Sequence, residues 1–172
     1  MKIIVYPSGL LVVENRAFRC ALGRGGITNN KIEGDGATPA GEFMLRKIFY
    51  RQDRLECPKS SLSLTAIRPE DGWSDDPTDP DYNRLVQIPH AFQHETLWRD
   101  DSLYDIIVPL GYNDNPPVPG LGSAIFLHIA ADQYAPTEGC IALAQSDLLT
   151  IIEGCNHKTG IVIRPPEFST QK

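Results

Sequence analysis

Two residues in this chain have the type and setting for covalent chemistry, His128 and Cys140. His128 ends the apolar run Phe126-Leu127-His128. Cys140 follows twelve positions later, behind Thr137-Glu138-Gly139 and ahead of a second apolar run, Ile141-Ala142-Leu143. A thiol becomes a nucleophile when a base takes its proton, and main-chain N–H groups around the sulfur stabilise the oxyanion formed on attack at a carbonyl. Gly139, lacking a Cβ, lets the main chain approach the reacting group closely. The reading is therefore thiolate attack on a carbonyl, with Cys140 as nucleophile, His128 as base, and the N–H groups of Gly139 and Cys140 as oxyanion donors. No aspartate is well placed to orient the imidazole, although Asp132 is near in sequence. A carbonyl of the Ile129-Ala130 segment is the alternative acceptor for an Nδ1 proton. On spacing alone a bland rival stays open, an interior histidine and a buried thiol that meet by chance.

Other ligand chemistries find weaker support. His90 and His94 lie four apart, but Glu95 follows the second histidine and not the first, so the pair does not form the zinc-protease pattern. A set of His128, Cys140, Cys155 and His157 contains a Cys-x-His pair without the usual ligand gap. The acidic run from Asp75 to Asp81 is broken by Pro77 and Pro80 and lacks the glycine and distal glutamate of a calcium loop. Gly23-Arg24-Gly25-Gly26 lacks phosphate-loop spacing. No metal and no cofactor is expected. A formal charge of −6 and a pI near 5.1, without a Lys/Arg cluster, disfavour nucleic acid and leave no basic anchor for an anionic membrane. No run approaches the roughly 18 apolar residues of a membrane span. With Met1 as the native start, the missing export signal implies the cytoplasm. With a leader removed, the periplasm or cell wall is implied.

The elements that must hold the pair are mostly short strands. Ile3–Tyr6, Leu10–Glu14 and Ala17–Leu22 read as consecutive strands, the first two joined by the turn residues Pro7-Ser8-Gly9. Phe43–Tyr50, Leu85–Ile88, Ile106–Leu110, Ser123–His128 and Ile161–Ile163 add further strands, each bounded by Gly, Pro or polar clusters. Ser146–Glu153 has helical spacing and an N-cap candidate. Cys57–Asp81 reads as long and irregular, in keeping with a lid or groove wall. Cys20 reads as a small buried hydrophobe. The four cysteines are too few for a disulfide framework at this length. The expectation is one mainly-β domain over residues 1–172, its core about 1–164 with a short tail, carrying long loops and one or two short helices.

With these residues in place, the chain resembles the catalytic domain of the L,D-transpeptidase (YkuD-like) family. The signature is His128 on a strand, a loop, and Thr137-Glu138-Gly139-Cys140-Ile141. Upstream, Lys31 and the Gly34–Phe43 stretch with Thr38-Pro39-Ala40-Gly41 resemble the family's Thr-Pro-x-Gly-x-Phe segment, and Tyr112-Asn113 and Gly122–His128 are also family-like. The resemblance implies a β-sandwich carrying the site on loops at one end. It implies a peptidoglycan stem peptide or muropeptide as substrate, with a thioester at Cys140 after release of D-Ala from a tetrapeptide. Transfer to an amine, or to water as in an L,D-carboxypeptidase of muropeptide recycling, completes the cycle. It further implies carbapenem β-lactams as covalent inhibitors, and substrate contacts from Thr137, Glu138, Tyr112 and Asn113. Two positions depart from the pattern. Glu138 stands where the family usually has His, and a carboxylate there raises the thiol pKa if it points inward. A peptide-binding module of weakened catalysis is the other reading of that change. Ala142 stands where many members carry Arg, which leaves Arg99 and Lys31 as the basic residues for a substrate carboxylate.

Overall fold

Strict alternation builds the first strands. In β1 (Lys2–Tyr6), Ile3 and Val5 are fully buried while their neighbours face outward, and β2 (Leu10–Val13) repeats the pattern with Leu11 and Val13. Gly9 turns the chain between them at φ +76°, where an added Cβ would come within 2.8 Å of the Cys20 carbonyl. β3 (Arg16–Ala21) completes an antiparallel meander. The computed structural model describes residues 1–166. Of the expected C-terminal tail, residues 167–172 lie outside the described residues.

Twelve further strands and one helix follow: β4 (Ile27–Thr28), β5 (Thr38–Pro39), β6 (Gly41–Met44), β7 (Ile48–Tyr50), β8 (Leu64–Ala66), β9 (Asp71–Ser74), β10 (Leu85–Gln87), β11 (His94–Thr96), β12 (Ile106–Pro109), β13 (Phe126–Ile129), β14 (Ile141–Leu143), α1 (Gln145–Glu153) and β15 (Gly160–Ile163). Ten strands form one sheet in the order β6-β15-β1-β2-β3-β14-β13-β12-β7-β8. Strand β3 belongs to both halves, and the sheet curls so that β1, β2 and β15 face β12, β13 and β14 across one apolar core. Leu148, Ile151 and Ile152 share one face of α1 and join that core. The fold is mainly β.

Strands β12, β13 and β14 are buried on both faces, and this positions the site. Leu127 and Ile129 of β13 enter the main core. Phe126 and His128 therefore point to the opposite face, where Phe126 meets Phe49, Ile107, Tyr104 and Cys140 in a second cluster. The three-stranded sheet β10-β9-β11 and the chain on to Tyr104 cover this outer face, with Trp73, Leu97 and Trp98 packed against it.

Several expected boundaries shift, each for a tertiary reason. Phe43–Tyr50 is not one strand: β6 pairs with β15, β7 pairs with β12, and the intervening residues carry the chain between the halves. Ser123–Ile125 stay outside β13, because Ala124 adopts φ +52°. The Cys57–Asp81 stretch contains β8 and β9. His90 and His94 share no helix; His94 opens β11. Helix α1 starts at Gln145, so Ser146 lies inside its first turn and Ala144 occupies the N-cap without a side-chain bond.

Candidate active site

Parallel pairing of β13 with β14 brings His128 and Cys140 to one wall. Leu127 is registered with Ile141 and His128 with Ala142, so Cys140 sits one step before the ladder on the same face as the imidazole. Both side chains line a cleft of about 550 Å³. Its other walls are the Lys31–Gly34 loop, Asp75, Gln93 and Glu95 of the covering sheet, Arg99 to Tyr104, Ser123-Ala124, and Ala135 to Glu138.

The sulfur is held by the main chain. Cys140 S–H donates to the Ala124 carbonyl at 3.1 Å, and the Phe126 N–H donates to Sγ at 3.4 Å. Burial pushes the Cys140 thiol up to about 12; the Glu95 carboxylate adds to this, while the Phe126 N–H and the Lys31 charge oppose it. His128 is buried with Nδ1 2.8 Å from its neighbour's carbonyl, Ile129, which fixes the proton on Nδ1 and leaves Nε2 as the basic nitrogen. Burial lowers His128 from 6.5 to about 4, and the Ile129 and Leu103 carbonyls only partly offset this. The pair thus rests as neutral thiol and neutral imidazole. Asp132 lies exposed in a short 3-10 turn and takes no part.

The loop before the sulfur is locked to the Lys31–Phe43 stretch. Gly139 adopts φ +136°, and an added Cβ would lie 2.9 Å from the Ala37 carbonyl. Thr137 is stitched beside the end of β3, its N–H on the Leu22 carbonyl at 2.9 Å and its carbonyl taking the Arg24 N–H at 2.8 Å. Thr38 accepts the Gly23 N–H at 2.9 Å on the same corner. Thr137 Oγ1 donates to the Cys140 carbonyl at 2.6 Å and accepts the Gly139 N–H at 3.2 Å, so that N–H is already engaged.

The remaining residues singled out in the sequence divide between cleft and scaffold. Glu138 is at the cleft mouth, its exposed carboxylate clamped by Arg24 at 2.9 and 3.0 Å; it turns away from the sulfur. Lys31 is in the cleft wall but spent on Asp35 at 2.7 Å and the Ile32 carbonyl at 2.8 Å. Arg99 also lines the cleft, paired with Asp101 and laid over the Tyr104 ring at 5.1 Å. Tyr112 and Asn113 are not brought to it. Tyr112 donates to the Leu121 carbonyl and packs edge-on against Phe43, while Asn113 cross-links its own loop through Val118 and Gly122.

Three residues of the site went unread in the sequence. Glu95 and Tyr104 stand beside the pair, joined by a 2.6 Å hydrogen bond. Asn83, at φ +56°, accepts from the Trp73 indole and the Ala124 N–H and donates to the carbonyls of Tyr112 and Asn113. It fixes the strained Ala124 whose carbonyl holds the thiol. Its left-handed backbone, common for Asn, is the only local signal. The histidines also have structural work: His90 pairs with buried Asp79 at 2.6 Å, and Ser74 donates to the same oxygen. Among the described residues, no group of three His, Cys, Asp or Glu side chains is arranged to hold a metal.

The match to known families decides the class. The family model for the L,D-transpeptidase catalytic domain (YkuD) covers residues 2–163. The chain belongs to that family. Among solved structures, this YkuD domain is similar to a variant of the helical cell shape determining protein Pgp2 from Campylobacter jejuni, with 13% identity and a TM-score of 0.50 over 96% of this chain and 47% of that one. It is similar also to L,D-transpeptidase 1 from Mycobacterium tuberculosis (12% identity, TM-score 0.41, 95% and 60% covered). L,D-transpeptidase 3 from the same organism, solved with a faropenem-derived adduct, gives 13% identity and a TM-score of 0.42, with 95% and 60% covered. The YkuD chain described here thus spans between about half and three-fifths of the length of these solved structures. No curated protein sequence matches it. None of the described helices is long and apolar enough to cross a membrane.

Proposed function

We propose that this domain is a cysteine-dependent acyltransferase acting on peptidoglycan stem peptides. The observation that carries the reading is the placing of His128 and Cys140 on one wall of a single cleft, with Nδ1 given to the Ile129 carbonyl and Nε2 left as base. A tetrapeptide donor enters with its penultimate carbonyl at the sulfur. The Cys140 proton passes to His128 Nε2 as the sulfur lone pair bonds the carbonyl carbon. The oxyanion takes the Cys140 N–H, and the Gly139 N–H joins it by leaving Thr137. Collapse breaks the C–N bond, His128 returns its proton to the departing nitrogen, and D-Ala leaves a thioester behind. An amine then gives a crosslink, whereas water gives an L,D-carboxypeptidase.

Incubation with a tetrapeptide tests this directly. The wild type releases D-Ala, and Cys140→Ala abolishes release; full activity in that variant overturns the assignment. Mass analysis of donor alone and of donor with an amino-acid acceptor separates water from amine. A tripeptide in both marks a hydrolase, an exchanged product a transferase. By likeness to the faropenem-bound relative, a penem is expected to add its mass at Cys140.

A further inference from the structure

A second cavity, of about 230 Å³, opens where the end of β12 and the start of β13 meet the covering strands β9 and β10. Ala124 and Cys140 line the catalytic cleft, whereas Ile125 and Phe126 line this pocket, so one short segment separates the two. Its floor is apolar: Phe49, Leu110, Ile125 and Phe126 are each at most 5% exposed. Trp73 stands edge-on to both rings, its centroid 5.1 Å from Phe126 and 6.4 Å from Phe49. The Trp73 indole N–H is already given to Asn83 Oδ1 at 3.0 Å, and the Asn83 amide nitrogen donates to the carbonyls of Tyr112 and Asn113. Leu85, registered with Trp73 across the β9–β10 pair and 41% exposed, forms the lip. The floor side chains therefore offer water no free hydrogen-bonding group, and an apolar ring or branched chain is the occupant they favour.

The rim is cationic, in a chain whose formal charge is −6. Arg46, Lys47 and Arg84 line it against a single carboxylate, Asp114. Asp114 is committed to Arg46, which donates to its two oxygens at 2.7 and 3.0 Å. Lys47 holds its ammonium 5.0 Å from the centroid of the Phe49 ring, over the floor. Among the described residues neither Lys47 nor Arg84 has an ion-pair partner. An anion at this mouth is attracted by both cations while its apolar body leaves water. The cavity is smaller than the roughly 300–1,000 Å³ of a drug-sized ligand's pocket, which leaves room for one ring but not for a peptide or a lipid chain. We propose that this pocket is a binding site for a small apolar monocarboxylate, aromatic or branched, separate from the catalytic cleft. No step at Cys140 enters the inference, so it stands apart from the acyltransferase reading.

Benzoate is the probe, titrated into protein labelled at its leucine, isoleucine and alanine methyl groups and followed by NMR. Ring-current shifts should appear and saturate at Leu85, Leu110 and Ile125, with a Kd on the order of 1 mM for a ligand of so few atoms. Leu103, Ala131 and Ala135, which line the catalytic cleft, should stay in place. Lys47→Glu and Arg84→Glu change exposed side chains, and each should weaken benzoate binding about tenfold. Benzamide, the same ring without the charge, should bind about tenfold more weakly to the wild type and be indifferent to salt, whereas added salt should weaken benzoate. Absence of any saturable shift at Leu85 and Leu110 would overturn the proposal. So would shifts centred on Leu103, Ala131 and Ala135, which would put the probe in the cleft. Equal binding of benzoate and benzamide, unchanged in both variants, would also overturn it, because the basic rim would then recognise nothing.

Discussion

Burial sets the resting charge of His128 and Cys140, and the pH dependence expected of the proposed reaction follows from it. His128 is lowered from 6.5 to about 4, so Nε2 is a free base throughout the neutral and mildly acid range. Acylation of Cys140 by a penem should hold level from neutral pH down to about 5 and fall only as the pH passes through about 4. An acid limb centred near 6.5, that of an ordinary imidazole, would show that His128 is not the base or is not buried in solution. The same shift has a stability consequence. Between 6.5 and about 4 the unfolded chain binds a proton at His128 that the folded chain refuses, so stability is full above 6.5 and is lost as the pH falls through that window. Integrated, the loss is roughly 3 kcal/mol. Urea unfolding of wild type and His128→Gln at pH 7 and pH 4 should show the variant losing less by about that amount. The sequence displays both residues through type and spacing, but their protonation states come from surroundings assembled by distant segments. Glu138, two residues before the sulfur, invited the expectation of a raised thiol. The carboxylate that raises it, after burial, is Glu95, and Glu138 is clamped outward by Arg24.

Among the elements, two loops hold the thiol in place and their weak points are single residues. Gly139→Ala sets a Cβ 2.9 Å from the Ala37 carbonyl at φ +136°, and both partners are backbone with little room to give. A loss on the order of 1–3 kcal/mol is expected in denaturant unfolding, with penem acylation falling further than the melt explains because the sulfur is next in the chain. Asn83→Ala removes four hydrogen bonds at once and strands the buried Ala124 N–H. The cost should be on the order of 3 kcal/mol, with acylation slowed as the Ala124 carbonyl loses its setting. A wild-type midpoint for either variant would refute the lock described here. The strands that alternate, β1 and β2, were legible because one face meets the core and the other meets water. The split between β6 and β7 was not, because Phe43–Tyr50 carries the same apolar content on both sides of the break. Only the identity of the pairing strands, β15 and β12, ends one and starts the other. Asn83 was invisible for a related reason, since its partner Ala124 lies 41 residues along the chain.

Across the whole molecule, the mainly-β class could be counted from short runs and turn residues, but the depth of burial could not. β12, β13 and β14 face an apolar core on one side and the Tyr104–Phe126 cluster on the other, so they should be the best-protected part of the described chain. The covering sheet differs. β10 shows only Val86 buried, and β11 is partly open along its length. Hydrogen exchange should resolve the two. Amides of Ile107, Val108 and Leu127 should exchange last and only through global unfolding, with protection rising in step with stability as urea is withdrawn. Amides of β10 and β11 should open at a fraction of that free energy, independently of urea at low concentration. Acylation by a penem fills the cleft that Gln93, Glu95 and Tyr104 line, so it should slow exchange in residues 93–104 selectively and leave β1, β2 and β15 unchanged. Uniform protection across the covering sheet and the central strands would mean that the two unfold as one unit, and the cleft wall would then be as rigid as the core behind it.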